Sequence, residues 1–173
     1  VGAEPSVCAW TPARFAEWLA ERGGRDLTLT SSHDTKRAED ARMRLVAITH
    51  LPEAFAALWD EAARLPGAGD VAPDHRWYVL QSWLAIHEAG RGDIGDRLAA
   101  HVEKALREAK EVTTWTHPRP EAEAPPGAFA RLLADRWREP PEAARALLDR
   151  GDALSLAQVA LKVLLPGIPD FYQ

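Results

Sequence analysis

The sequence predicts a mainly α-helical fold, and three observations carry that prediction. Apolar residues recur at spacings of three and four through most of the chain. Prolines stand where helical patterns begin, and glycines or Pro-Gly pairs where they stop. Only "RDLTLTS" (25–31) has the β-branched, period-two character of a strand.

Taken in order, "TPARFAEWLAERGG" (11–24) reads as a helix with Thr11 as N-cap and Pro12 at its first position. Phe15, Trp18 and Leu19 share one face, and Gly23 and Gly24 end it. After the strand, "AEDARMRLVAITH" (38–50) returns to helical spacing. "LPEAFAALWDEAARLPG" (51–67) opens at Pro52 and closes at Pro66-Gly67. "APDHRWYVLQSWLAIHEAG" (72–90) and "GDIGDRLAAHVEKALREAK" (92–110) predict two amphipathic helices, with Trp77, Leu80 and Leu84 on one stripe and Leu98, Val102, Ala105 and Ala109 on the other. The proline-rich "THPRPEAEAPPG" (116–127) reads as a loop or linker. Helices resume with Phe129, Leu132, Leu133 and Trp137, and again in "PPEAARALLDRG" (140–151). The last pattern, "DALSLAQVALKVLLPGIPDFYQ" (152–173), starts helical and breaks at Pro166, with an extended turn from Ile168. One strand with about seven helices leaves ladder groups without partners, so further strands are expected elsewhere.

Composition narrows the function. At 173 residues, 46% of them hydrophobic, the chain can bury a core of its own. A net charge of −5 with acids and bases interspersed excludes the basic stripe of a nucleic-acid binder. The single cysteine, Cys8, cannot form an internal disulfide and has no metal-ligand spacing, which favours a reducing compartment, the cytoplasm. The apolar run from Val159 to Leu165 is too short for a bilayer and contains Lys162. Neither a metal nor a cofactor is implied: His50, His75, His87 and His101 lack ligand spacing and read as surface or satisfied core positions. Val1 as the first residue and the apolar, aromatic "PGIPDFYQ" at the end lead us to expect a piece of a longer protein.

One stretch asks for more than structure. "LTLTSSHDTKRAEDARMRL" (27–45) places His33, Asp34, Lys36 and Arg37 together where the strand ends. Asp34 or Thr35 could cap the next helix, but neither has Glu or Gln three positions on to complete a capping box. Lys36 and Arg37 in a first turn would oppose the helix dipole. Catalytic groups commonly sit where strands give way to loops. Spacing alone leaves the structural and functional readings both open.

The motif "TSSHDTKRAEDARMRL" resembles that of the maltooligosyl trehalose synthases of the α-amylase superfamily. Further matches follow in the same order: "YVLQSWL" from Tyr78, "KALREAKEVTTWTHP" from Lys104 and "SLAQVALKVLLPGIPDFYQ" from Ser155. The resemblance implies a (β/α)8 TIM-barrel glycosidase with a large helical insertion. The chain would then be a fragment running from about strand 7 to strand 8. Residues 1–37 would hold a helix, strand 7 and the catalytic loop; 38–150 the helical insertion region; 151–173 the return helix and the start of strand 8.

It also implies an isomerase, a (1→4)-α-D-glucan 1-α-D-glucosylmutase, that turns the reducing-end α-1,4 linkage of maltooligosaccharides into an α,α-1,1 linkage. Asp34 would be the transition-state stabiliser and His33 its neighbour on the same sugar ring. Lys36, Arg37, Lys104, Lys110 and Trp115 would be substrate-binding residues. The nucleophile and general acid match nothing in these 173 residues, so the chain alone is expected to be inactive. The partners implied are a maltooligosaccharide and the rest of the barrel, with neither nucleic acid nor membrane. Two alternatives stand beside this: a non-catalytic helical interaction or carbohydrate-binding module, and another α-glucan hydrolase of the superfamily. Ser32, where the family often has threonine, and Ala38, where glycine or serine is frequent, depart from the pattern without touching a charged group, and "AIHEAG" (85–90), in place of a commoner Gly-Ala-Trp-Pro, bears on how that helix ends.

Overall fold

Thr11 accepts a hydrogen bond from the Arg14 amide at 3.2 Å and Pro12 fills the first helical position, so the chain enters α1 (Pro12–Glu21) as its sequence predicts. The structure, a computed structural model, describes residues 10–22, 24–32, 35 and 37–170. His33, Asp34, Lys36 and the end of the predicted final turn, from Phe171, lie outside the described residues, as does Cys8. Strand β1 (Leu27–Thr28) follows, then α2 (Glu39–His50), α3 (Pro52–Ala63), a 3-10 turn at Ala68–Asp70, α4 (Pro73–Ile86), α5 (Ile94–Ala109), α6 (Pro120–Arg136), α7 (Glu142–Leu164) and β2 (Ile168–Pro169). The described residues are thus mainly helical, with proline at the first turn of α1, α3, α4 and α6.

The core lies where α4 meets its neighbours. Val79, Leu80, Trp83 and Leu84 of α4 are fully buried and pack with Phe55 and Leu58 of α3, Leu98 and Val102 of α5, Phe129 and Leu133 of α6, and Leu147 of α7. The Trp83 and Trp137 rings meet edge to face at 5.0 Å. Burial therefore runs round most of the second half of α4, which is not the one-sided helix its spacing suggested. Trp77 also departs from a core role: it is 42% exposed, at the rim, with its ring against Phe55 and Trp59. The buried stripe of α5 is Ile94, Leu98, Ala99, Val102 and Leu106, while Ala109 is exposed.

Three other expectations change. The predicted linker 116–127 is helical from Pro120, with Pro125 and Pro126 inside α6. A proline within a helix costs about 3 kcal/mol; burial of Pro126, Phe129, Ala130 and Leu133 offsets it, at roughly 1.5–3 kcal/mol for each large side chain. The two patterns at 140–151 and 152–173 fuse into one 23-residue helix, α7, that passes through Gly151. That glycine ends nothing. A Cβ there would lie 2.6 Å from Arg44 Cγ and 2.8 Å from Arg44 Cα, so it is the small residue that lets α2 and α7 touch.

The strand is not alone either: β1 pairs in parallel with β2, Leu27 opposite Ile168 and Thr28 opposite Pro169. The Ile168 amide donates to Asp26 O at 2.9 Å and that of Asp170 to Thr28 O at 3.0 Å. Gly167, at φ 136°, makes the approach possible, because a Cβ there would sit 2.3 Å from Thr28 Oγ1. Nearly the whole helical unit lies, in sequence, between two neighbouring parallel strands.

Candidate functional site

The chain leaving β1 is held by side chains from three helices. Glu39, in the first turn of α2, accepts from the Thr30 hydroxyl, and Arg42 donates to Thr30 O at 2.7 Å. Glu39 also accepts from Lys162 of α7 at 2.7 Å, with only 12% and 5% of the two side chains exposed. Inside the turn, Thr35 Oγ1 accepts from the Ser32 amide at 3.2 Å and lies 2.7 Å from Ser32 O, to which it donates. Helix α2 begins at Glu39 with Ala38 as N-cap, so Thr35 does not cap it, and Asp34 lies outside the described residues. Its first turn carries Glu39 and Asp40, the charges the dipole favours, and Arg37 precedes the helix.

Arg37 is the one described residue of the candidate quartet. Its guanidinium donates to the fully buried Ser82 hydroxyl at 3.2 Å and stands 5.8 Å from the centre of the Tyr78 ring. Tyr78 OH is hydrogen-bonded to His101 Nε2 at 2.8 Å, and the two rings stack at 13°. Burial above all, then the positive charges of Arg37 and Lys104, hold the His101 pKa below the usual imidazole value against a smaller opposing effect of Glu108. A neutral His101 is thus what this corner favours. Lys104 is 63% exposed and 3.9 Å from Glu108, free to extend its ammonium into solvent beside that corner.

Lys110 and Trp115 sit elsewhere, at and beyond the C-terminal end of α5. Lys110 closes that helix in the left-handed conformation, φ 60°. Trp115 is 56% exposed and has the Arg107 guanidinium 4.9 Å from its ring centre. Arg107 binds the Glu123 carboxylate through two 2.8 Å contacts, and Thr113 donates to it at 2.6 Å. Those bonds, Arg107 first, pull the Glu123 pKa down to about 2. The candidates therefore fall in two regions: Arg37 with Lys104 nearby, and, at and beyond the C-terminal end of α5, Lys110 and Trp115, the latter against Arg107. Among the described residues no hydrogen bond, ion pair or ring contact joins Lys110 or Trp115 to the chain between Thr30 and Glu39.

Sequence reasoning missed Ser82, Tyr78 and His101 as partners of Arg37, as well as Glu39 and Lys162. The quoted motifs were the signal: "YVLQSWL" carries Tyr78 and Ser82, "TSSHDTKRAEDARMRL" carries Glu39 and "SLAQVALKVLLPGIPDFYQ" carries Lys162, while His101 lies in none of them. Among the described residues no group of three or more His, Cys, Asp or Glu could hold a metal ion, and no helix is long and apolar enough to cross a membrane.

The described residues form a mainly helical unit whose two short strands pair in parallel across its ends. The comparisons give that unit a counterpart: its relatives are maltooligosyl trehalose synthases. A protein named for that activity in two strains of Mycobacterium tuberculosis is 31% identical over 180 residues, covering 100% of this chain and 23% of the relative. The structure of a Sulfolobus tokodaii hypothetical maltooligosyl trehalose synthase superposes with a TM-score of 0.85 at 29% identity, over 100% of this chain and 25% of that one. That of the maltooligosyltrehalose synthase from Arthrobacter ramosus gives 0.76 at 30% identity, over 100% and 23%. The chain thus spans about a quarter of the length of these relatives. No family model matches it.

Proposed function

We propose that this chain is the strand 7 to strand 8 portion of a (β/α)8 maltooligosyl trehalose synthase, with β1 and β2 as those strands. Residues 1–37, 38–150 and 151–173 then divide into strand 7 with its loop, helical insertion, and return to strand 8. The observation that carries the reading is the parallel pairing of β1 with β2, with "SSHDTKR" (31–37) at the C-terminal end of β1. That is the end where such barrels build their active sites.

In this reading the parent enzyme, cytoplasmic, cleaves the reducing-end α-1,4 bond of a maltooligosaccharide through a covalent glycosyl intermediate. The C1 hydroxyl of the released glucose then attacks that intermediate to form the α,α-1,1 linkage. Two carboxylates from outside these residues act as nucleophile and as general acid and base. Asp34 supports the positive charge that develops on the ring, and His33 contacts the same ring. Lys36 and Arg37 donate to sugar hydroxyls or to a carboxylate of the site. Lys104, and farther along Lys110 and Trp115, line the approach of the glucan. Holding the glucose while excluding water is what separates transfer from hydrolysis.

The test is to incubate the full-length parent with maltohexaose and follow loss of reducing ends together with the anomeric proton signals of the product. A non-reducing product, at least 100-fold slower in Asp34→Asn, is expected when a preorganised electrostatic contact is removed. Equal turnover in the variant refutes the assignment of Asp34. A non-reducing product formed by the 173-residue chain alone would refute the placement of the other two carboxylates.

A further inference from the structure

Helix α7 is inverted in polarity near its end. Leu161, Val163 and Leu164 are 37%, 61% and 79% exposed, whereas Lys162 between them is 5% exposed. Withdrawing an ammonium group from water costs several kcal/mol unless a partner replaces the water, and an apolar pair of similar volume usually folds at least as well. Stability alone does not explain a lysine here. Among its partners is Glu39, at 2.7 Å, and that carboxylate also receives the Thr30 hydroxyl. Thr30 precedes the stretch containing His33 and Asp34, and Glu39 follows it. Arg42 adds a second tie to Thr30.

We infer that Glu39 and Lys162 are positioning residues: a buried clasp that joins the two ends of the 30–39 segment, anchors both to α7, and so fixes where the segment's functional side chains can stand. The inference rests on the proposed function for its catalytic meaning, though not for its physical content. Chain ends held at Thr30 and Glu39 leave the eight intervening residues a short span. Displacement of a reacting group by about 1 Å costs on the order of 100-fold in rate.

The experiment uses the full-length parent and three variants: Glu39→Met, Lys162→Arg, and the double Glu39→Met/Lys162→Met. The double removes both charges of the Glu39–Lys162 pair together, so neither is left buried opposite the other's vacancy, as happens in a single variant. Three readouts are taken: thermal midpoint, kcat and KM for maltohexaose, and amide exchange of residues 30–39. The double variant is expected to keep the midpoint within a few degrees and KM within about twofold, to lose at least tenfold in kcat, and to exchange at least tenfold faster in 30–39 while α4 and α5 are unchanged. Lys162→Arg, which keeps the charge, is expected to retain most of kcat. A double variant with wild-type kcat and wild-type exchange overturns the inference and leaves an ordinary structural ion pair. If the wild-type parent yields no non-reducing product, the proposed function fails, and the exchange comparison alone decides the clasp: faster exchange supports it, unchanged exchange refutes it.

Discussion

Replacing Gly151 by alanine sets two known quantities against each other. In an open helix position, alanine is better than glycine by about 1 kcal/mol. At Gly151, however, the new methyl would lie 2.6 Å from Arg44 Cγ, 2.8 Å from Arg44 Cα and 3.2 Å from Arg44 Cβ. Side-chain carbons can swing away, but the Cα belongs to the α2 backbone. Restoring an ordinary separation moves α2 and α7 apart by roughly 1 Å, along one of the most extensive helix contacts of the fold. It also pulls Arg44 from His87 O, now 2.6 Å away, and from Asp152, 3.5 Å away. Overpacking of this kind costs about 1–3 kcal/mol, and an immovable backbone atom places Gly151→Ala at the upper end. The net expectation is a loss of about 1–2 kcal/mol, a drop of roughly 2–8 °C in Tm for a chain of this size. Gly127 is the control: inside α6 a Cβ would meet only the far end of Arg131 at 3.9 Å, so Gly127→Ala should gain up to about 1 kcal/mol. Urea and thermal unfolding by far-ultraviolet circular dichroism measure both. If Gly151→Ala is stabilised as much as Gly127→Ala, the close α2–α7 contact is wrong.

Two further predictions use the second region. Glu123, held near a pKa of about 2 by Arg107 and Thr113, binds fewer protons folded than unfolded, where its value is near 4.5. Its stabilisation is therefore complete above the unfolded value and declines as pH falls from about 4.5 towards 2. The urea midpoint of the wild type should fall across that window more steeply than that of Glu123→Gln; parallel curves would show that the Arg107 contact contributes nothing. Trp115→Ala should alter stability by no more than about 1 kcal/mol, because the lost contact is an exposed cation–π pair. In the parent enzyme it should raise KM for maltohexaose roughly twofold to tenfold if the free face stacks on sugar, and an unchanged KM removes Trp115 from the substrate path.

The parts of the fold legible in sequence were those marked by a residue with one structural meaning. Pro12, Pro52 and Pro73 open helices because their missing amide and fixed φ suit a first turn and little else. The same residue misled at 116–127, where Pro120 starts a helix but Pro125 and Pro126 lie within it, tolerated through burial that local sequence does not encode. Alanines misphased α5: Ala105 and Ala109 extend an apolar stripe on paper, while Ile94 and Leu106 set the face that packs. The extended backbone from Ile168 was legible after Pro166, but its parallel pairing with β1 was not readable from periodicity, because a two-residue strand has no period of its own. At the candidate site, the "HDTKR" motif (33–37) identified Arg37, yet nothing local says that its guanidinium ends on Ser82. Lys162 in an apolar run reads as the solvated residue of its turn, the reverse of what packing does with it.

If the 30–39 segment is braced as inferred, the helices have a task that two short strands cannot perform. Strands β1 and β2 contribute two paired positions each, and if the proposed function holds, that is too few to locate a polar turn to within the fraction of an ångström that catalysis by fixed dipoles requires. The described residues at its ends and at Arg37 are tied to the helices instead. Thr30 is held by α2, Glu39 by α7, and Arg37 by α4, whose Ser82 and Trp83 are fully buried. Helix α7 passes from that core, where Leu147 is sealed, to the apolar surface of Leu156, Val163 and Leu164 beside β2. In the proposed barrel those residues would pack on neighbouring elements, so α7 ties the helical insertion to the barrel wall. A helical unit connected in this way acts as a support for the segment beyond β1, and mutations in α4 or α7 far from any sugar should then change kcat before they change KM.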